Sequence, residues 1–302
     1  MRAHAARAVS GAWVMTTGAA QAVRRRSIGK DDLPAIIDLL CEGFAERPRR
    51  YWEAGLGRLA IRDAPESYPK FGYMLECAGE AVGVILLIFS HTDDDRSRPV
   101  RCNLSSWYVR PAFRAYATLL TAAASGLKEV TYINSSAAGY TWPILESQGF
   151  VRYGRGQFVA IPALGLSEFG APVRRVRGAA DAAGLGEAEL LVDHARSGCV
   201  SLICRSSAGE APFVFVRWRL RGRPGMFRLL WCRDTADFVR CAGPIGRFLL
   251  RQGVALVAMD AIGAVPGLAG RYFAGAQPKF FRGPAPPRLN DLAFTETMIF
   301  GA

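Results

Sequence analysis

One stretch of the sequence, from Cys102 to Leu120, constrains the fold more than any other. Its aromatic and β-branched residues predict a strand from Leu104 to Val109. Pro111 ends this strand because proline has no backbone N–H to donate to a neighbour. The small and apolar residues from Ala115 to about Ala124 then predict a helix. The stretch therefore predicts a buried strand, a tight turn and a helix in direct succession.

A helix that begins just after a strand directs several unpaired N–H groups and the positive end of its dipole to one place. Such a place suits a phosphate group. Arg110 and Arg114 add positive charge at the predicted turn. The same pattern also occurs in a plain strand-to-helix crossover that binds nothing. The residues alone leave an anion site and a structural crossover as equal alternatives.

The run Val109-Arg-Pro-Ala-Phe-Arg114 resembles the V-x-P-x-(Y/F)-R segment of the GNAT N-acetyltransferase superfamily. In that family the strand presents backbone groups to the pantetheine arm of acyl-coenzyme A, and the next loop cradles the pyrophosphate with the sequence (R/Q)-x-x-G-x-(G/A). Here Ala117 replaces the first glycine of that loop, and Leu119 puts a bulky side chain where the backbone approaches the ligand. The resemblance implies that acetyl-coenzyme A or another acyl-coenzyme A is the co-substrate.

The resemblance also implies which residues bind the coenzyme: Trp107, Tyr108, Val109, Arg114, Ala115, Tyr116, Ala117 and Thr118. A second segment, from Ala138 to Phe150, resembles the family's second signature, which ends in a short helix and Gly-Phe. The family often has a tyrosine four residues before this glycine as the acid that protonates the departing thiolate, but Leu145 stands there. Tyr140 and Ser105 are therefore the candidate catalytic residues, through acceptor contacts or a water-mediated proton path.

The remaining patterns predict the other elements of a GNAT domain in the family's order. The predicted elements are a strand over Val23–Ile28, helices over Leu33–Phe44 and Tyr51–Ile61, a hairpin of Gly72–Cys77 with Ala81–Ser90, and a strand over Lys128–Ser135. The second half repeats the order of strand, helix ending at a glycine, and strand between Phe227 and Ala261, without a recognisable phosphate loop. A last strand is predicted over Asp291–Phe300.

We therefore predict an α/β (α+β mixed-sheet) fold with two GNAT-like domains in tandem. The expected divisions are a disordered N-terminal extension over residues 1–22, a GNAT acyltransferase domain over 23–162, a linker over 163–178 and a second, diverged GNAT-like domain over 179–302. Glycines, Pro172 and the basic run Arg174–Arg177 indicate the linker. Either Met1 or Met15 could be the natural start of the chain.

Composition limits the class of protein and its location. A chain of 302 residues that is 50% hydrophobic and only 21% charged is typical of a globular protein with sizeable cores. The longest apolar run, Ala81 to Phe89, is much shorter than the roughly 20 residues that span a bilayer. Seven cysteines without a C-x-x-C pair argue against a disulfide framework or a structural zinc site. These features favour the cytoplasm.

Charge and single residues give weaker indications. The formal charge of +12 is spread along the whole chain, which favours attraction of phosphorylated ligands over binding of nucleic acid. His194 is expected to be protonated near a helix end, where an imidazolium stabilises the dipole. His91 with Asp93, Asp94 and Asp95 is interpreted as a charged turn instead of a metal site, so we predict no metal.

The sequence thus predicts an N-acyltransferase in which an amine attacks the thioester of acyl-coenzyme A directly. The acceptor is open: an amino sugar, an amino acid, a polyamine or a protein amine would each satisfy the pattern. The alternative is a non-enzymatic GNAT-like module that binds acyl-coenzyme A or a protein partner, which Leu119 and Leu145 favour. A nucleic-acid-associated protein would need its arginines gathered on one face. The oligomeric state is also open.

Overall fold

The computed structural model of the chain describes residues 22–91, 99–218 and 225–301. Its strands form one mixed twelve-stranded sheet. The strands are β1 (Arg24–Ser27), β2 (Gly72–Cys77), β3 (Glu80–His91), β4 (Val100–Val109), β5 (Thr131–Asn134), β6 (Val151–Ala160), β7 (Val173–Arg175), β8 (Val200–Ser206), β9 (Gly209–Trp218), β10 (Met226–Cys232), β11 (Val257–Ala261) and β12 (Gly270–Arg282). The α-helices are α1 (Leu33–Gly43), α2 (Arg49–Ile61), α3 (Ala117–Ala124), α4 (Trp142–Ser147), α5 (Ala188–Arg196), α6 (Thr235–Leu250) and α7 (Glu296–Phe300).

The strand order has a two-fold pattern. Across the sheet it is β1-β2-β3-β4-β5-β12-β6-β11-β10-β9-β8-β7. Each edge therefore begins with five strands in chain order, β1 to β5 from one side and β7 to β11 from the other. Each set is then followed by the last strand of the other half, β12 beside β5 and β6 beside β11. The two halves share one sheet through the antiparallel pair of β6 and β12.

Alternation along the strands divides the core into two layers. In β3, Val84, Leu86 and Ile88 pack with α1 and α2, whereas Ile85, Leu87 and Phe89 pack with α3 and α4 on the opposite face. The second half repeats this arrangement, because α5 packs on one face and α6 on the other. Helix α7 contacts both α2 and α5, so these three helices lie on the same face of the sheet.

Residues 290–300, here called the C-terminal segment, connect the two halves on that face. Leu292 and Met298 belong to the core under α5, and Ile299 and Phe300 belong to the core under α1 and α2. Phe300 lies directly over Gly55, where an added Cβ atom would come within 2.0 Å of its ring. The last residues of the chain are therefore an integral part of both cores.

Most of the predicted elements are confirmed, including the hairpin of β2 and β3 and the strand-turn-helix from β4 to α3. Helix α3 begins at Ala117 instead of Ala115, because Pro111–Tyr116 form a 3-10 helix first. The strand predicted over Asp291–Phe300 is wrong, because Glu296–Phe300 form a helix. Residues 173–175 of the predicted linker form the edge strand β7.

Strands β6 and β12 were not predicted. Both are interrupted by glycine, and β12 also contains Pro278 and a register shift between Ala274 and Lys279, so the alternating pattern is lost. The N-terminal extension lies outside the described residues, except for its last residue. Among the residues that are described, the helices are too short or too polar to cross a membrane.

Candidate functional site

Strands β4 and β5 run side by side and then separate. They pair as parallel strands from Arg101 with Thr131 to Asn103 with Ile133, while β4 continues to Val109. We call this point of separation the β4/β5 fork. The Asn103 side-chain amide lies there and donates hydrogen bonds to the carbonyl oxygens of Leu104 at 3.0 Å and Ile133 at 3.3 Å. The side chain thus satisfies backbone groups that lose their strand partner at the fork.

A β-bulge lies in β4 immediately after the fork. On the neighbouring strand, Ile85 pairs with Trp107 and Leu87 pairs with Leu104. Two residues of β4, Ser105 and Ser106, therefore stand opposite the single residue Leu86. Bulges redirect side chains and interrupt strand pairing, and they are frequent beside active sites. Here the bulge increases the length of β4 that is free of β5.

A carboxylate from the C-terminal segment enters the β4/β5 fork. Glu296 accepts a hydrogen bond from Ser105 Oγ at 2.8 Å and another from Ser135 Oγ at 3.0 Å. Its backbone N–H donates to Asn103 Oδ1 at 2.6 Å. The fork therefore holds a partly buried proton acceptor fixed by three hydrogen bonds from both of its strands.

Sequence reasoning did not find Glu296, because the segment was interpreted as a strand. One signal was present: Thr295 is a favourable N-cap residue, and a glutamate in the next position is typical of a first helical turn. The structure confirms Thr295 as the residue before α7. The partnership with two serines more than a hundred residues earlier has no local signal.

A small cavity adjoins the fork on the side of α3 and α4. Its volume is about 30 Å³, enough for one or two water molecules. It is lined by Ile85, Leu104, Ser105, Trp107, Thr121, Ser125, Asn134, Leu145 and Gln148. The indole N–H of Trp107 is buried and has no hydrogen-bond partner in the protein. An unpaired donor beside a polar cavity is a group that a bound molecule can satisfy.

The turn between β4 and α3 is on the surface. Arg114 is exposed, and neither a side-chain hydrogen bond nor an ion pair holds it within the described structure. Arg110, expected to help bind a phosphate, instead pairs with Glu42 at 2.9 Å and Glu80 at 3.4 Å. Leu119 is 45% exposed and does not line the cavity. Of the two arginines, only Arg114 is available to an incoming anion.

The other predicted site residues are dispersed. Trp107 and Ser105 line the cavity, whereas Tyr108 donates its hydroxyl hydrogen to Glu42 at 3.0 Å. Burial, followed by this bond, raises the pKa of Tyr108. Val109 is buried in the core. Ala115, Tyr116 and Thr118 are exposed, and Ala117 is half-buried at the start of α3. Tyr140 is 82% exposed and does not line the cavity.

The second half has an equivalent fork, where β10 and β11 separate after Arg228 and Ala258. The C-terminal segment fills this β10/β11 fork. Asn290 accepts a hydrogen bond from Asp260 N at 2.8 Å, and its amide donates to Asp260 O at 3.1 Å. The Cys232 N–H donates to Asn290 O at 3.1 Å, and the Leu292 N–H donates to Leu230 O at 2.9 Å. Both strands are thus paired by the protein itself.

Buried charges lie between the two forks. Arg101 pairs with Asp291 at 3.3 Å, and Arg228 pairs with Asp260 at 3.3 Å. Lys279 lies 3.5 Å from Asp260, and burial, with the nearby Arg228, lowers its pKa to about 8. These pairs attach β4, β10, β11 and β12 to one another and to the C-terminal segment.

His194 also holds the C-terminal segment. It is fully buried; its Nδ1 lies 2.7 Å from Leu190 O, and its Nε2 accepts a hydrogen bond from Phe294 N at 3.3 Å. Burial lowers its pKa to about 4. The expectation of a protonated imidazolium is therefore wrong, because this site excludes water and uses the ring as an acceptor.

The described residues contain no group of three or more histidine, cysteine, aspartate or glutamate side chains that could hold a metal ion. The acidic residues Asp93, Asp94 and Asp95, considered with His91, lie outside the described residues.

Comparison with known proteins identifies the fold. Neither a family model nor a curated protein matches the sequence. Among solved structures, a GCN5-related N-acetyltransferase from Kribbella flavida has 14% identity and a TM-score of 0.55, covering 87% of this chain and 71% of that one. A putative acetyltransferase from Pyrococcus horikoshii has 12% identity and a TM-score of 0.54, covering 90% and 93%. A GCN5-related N-acetyltransferase from Anabaena variabilis has 11% identity and a TM-score of 0.54, covering 86% and 72%. The chain has the GNAT fold over most of its length.

Proposed function

We propose that this GNAT-fold protein is an N-acyltransferase that transfers an acetyl or other acyl group from acyl-coenzyme A to an amine at the β4/β5 fork. The observation that carries the proposal is the Glu296 carboxylate, held between Ser105 and Ser135 where the two strands separate. Acyl transfer to an amine needs a proton acceptor beside an edge of free backbone donors, and this fork combines the two.

The coenzyme is proposed to lie along β4 after Asn103, where that strand has no β5 partner. The unpaired Trp107 N–H supports this placement, because a pantetheine amide oxygen would satisfy it. Arg114 is proposed to meet the phosphates. The cavity of about 30 Å³ is too small for pantetheine, so binding requires the side chains of α3 and α4 to move apart from β4.

The chemistry follows from the groups at the fork. A neutral amine attacks the thioester carbon, and the new C–N bond makes the amine proton acidic, so that the Glu296 carboxylate can accept it. The negative charge on the carbonyl oxygen faces the unpaired N–H edge of β4. The C–S bond then breaks, and the thiolate takes a proton from solvent, because its conjugate thiol has a pKa of only about 8.5. Leu145 and the exposed Tyr140 supply no acid beside the cavity.

The test is thiol release from acetyl-coenzyme A and longer acyl esters in the presence of amino sugars, amino acids, polyamines and peptides. We expect release only when ester and amine are both present, with a rate that rises with pH as the amine loses its proton near a pKa of about 10. Tyr140→Phe should leave this rate unchanged within a few-fold. Failure of every coenzyme A ester to bind at millimolar concentration would contradict the proposal.

The second candidate is a GNAT-like module that binds acyl-coenzyme A or a protein partner without transfer. It is favoured by the position of the C-terminal segment, whose Ile299 and Phe300 cover the fork from the side of α1 and α2. The same assay separates the candidates. Binding of the ester without thiol release for any amine in the panel would support the module.

A further inference from the structure

A cleft separate from both forks lies between α2, α5 and α7. Its volume is about 560 Å³, within the range of small-molecule sites, and both halves of the chain line it. Four apolar side chains form part of its walls: Ile61, Val192, Met298 and Ile299. We call it the helix cleft. Met298 and Ile299 face it from α7, whereas Glu296 of the same helix bonds to Ser105 and Ser135 at the sheet.

The two walls of the helix cleft carry opposite net charge. The wall at the end of α2 presents Arg58, Arg62 and Asp63. The wall formed by α5 presents Glu189, Asp193 and Arg196. One wall therefore has a net charge of +1 and the other a net charge of −1. This balance favours a dipolar molecule over a polyanion or a polycation, because each charged end then faces the opposite sign.

Several of these charged groups lack partners. Arg62 donates from Nη2 to Phe89 O at 2.9 Å, but its Nη1 is buried without a hydrogen-bond partner. Burial lowers the pKa of Arg62 to about 10. A neutralised guanidinium is not expected near pH 7, so the unpaired donor remains cationic. A carboxylate or phosphate in the cleft would satisfy it.

The acidic wall is equally open. Glu189 forms neither an ion pair nor a side-chain hydrogen bond within the described residues. Asp193 lies 3.7 Å from Arg196, which is beyond hydrogen-bond distance. Burial, followed by repulsion from Glu189, raises the pKa of Asp193. Glu189 and Asp193 are one helical turn apart on the same face, so an ammonium group between them would relieve their repulsion.

We propose that the helix cleft binds a dipolar aliphatic amine, with its ammonium group at Glu189 and Asp193, its hydrocarbon body against the apolar walls, and its acidic group at Arg62. This site is distinct from the proposed acyl-transfer site, and its occupant contacts the helix that carries Glu296. The proposal does not depend on coenzyme A binding, so either can fail without the other.

The test uses calorimetry on the full chain with 6-aminohexanoate, which has an ammonium group, five methylenes and a carboxylate. The matched probes are hexylamine, which lacks the acid, and hexanoate, which lacks the amine. We expect 6-aminohexanoate to bind with a dissociation constant of about 1 mM or lower, and each matched probe to bind at least about tenfold more weakly. Absence of binding at about 10 mM, or equal binding of all three probes, would overturn the proposal.

Variants locate the binding. Glu189→Gln should weaken 6-aminohexanoate by about three- to tenfold, and Arg62→Lys should do so by a similar factor. Because Arg62 also contacts Phe89 O, Arg196→Gln on the exposed rim is a second basic variant that leaves this contact intact. Glu129→Gln, an exposed glutamate outside the cleft, is the control and should change nothing. Equal affinity in Glu189→Gln and the wild-type chain would place the probe elsewhere and overturn the proposal.

Discussion

The β4/β5 fork and the β10/β11 fork occupy equivalent positions in the strand order but have different contents. At the first, the C-terminal segment contributes one carboxylate and leaves the end of β4 without a β5 partner. At the second, the same segment inserts Asn290 to Leu292 between the strands and satisfies their backbone groups. One fork thus has capacity for a ligand and the other has been converted into core.

The difference shows how one architecture can carry both a site and a support. Helices α3 and α6 both follow the first strand of their fork, yet only the segment before α3 includes an unpaired arginine and an exposed turn. In the second half, Asp234 caps α6 by accepting from Ala236 N at 3.1 Å. The N-terminus that would receive a phosphate in the first half therefore has its own carboxylate in the second.

The largest effect is expected from Glu296→Gln at the first fork. Glutamine keeps the shape and can still accept from the two serines, but it does not accept the amine proton. Thiol release should fall by about 10² to 10⁴ at saturating ester, the usual contribution of a proton-transfer residue. Coenzyme A affinity and the free energy of unfolding should change little. A rate within a few-fold of wild type would remove Glu296 from the proposed chemistry.

Asn290→Ala tests the second fork. Asn290 is 1% exposed and has a φ of 57°, a left-handed conformation that asparagine tolerates better than alanine. Its loss leaves the buried N–H and C=O of Asp260 without their partner. The free energy of unfolding should fall by about 2 to 4 kcal/mol in denaturant titrations. The rate per folded molecule should not change. A normal stability with a lost rate would reverse the roles of the two forks.

Arg114→Ala tests the exposed turn beside the first fork. Because Arg114 is free of ion pairs in the described structure, its removal should leave the melting temperature unchanged. Coenzyme A affinity should fall by about 1 to 2 kcal/mol, since a charge-assisted hydrogen bond is lost at a site that salt partly screens. Arg110→Ala is the matched control, because Glu42 and Glu80 already hold that side chain. Equal effects of the two variants would contradict a specific role for Arg114.

Trp107→Phe gives the smallest expected effect and separates binding from folding. The indole N–H of Trp107 has no partner in the protein, so phenylalanine removes a donor without breaking an existing bond. Affinity for coenzyme A esters should fall by about 0.5 to 1.5 kcal/mol. Calorimetric titration measures this change. If the Trp107→Phe variant bound the ester as tightly as the wild type does, the donor would have no ligand to meet.

The sequence was sufficient for the elements of the first half, because each depends on local periodicity and on breakers such as Pro111. It was not sufficient for the exchange of β6 and β12, which pairs residues more than a hundred positions apart and interrupts its own pattern at Pro278 and Lys279. Ser105 could be identified by its position in the β4 motif. Glu296 could not, because its role depends on where the last residues of the chain cross the sheet.

Hydrogen exchange with and without acetyl-coenzyme A tests the central claim most directly, because it compares the two forks in one experiment. We predict that the ester slows exchange in residues 104–109 and 114–118 and leaves residues 229–232, which the C-terminal segment already covers, unchanged. Slower exchange in 229–232, or none in 104–109 at an ester concentration that saturates binding, would contradict the assignment of the site to the β4/β5 fork.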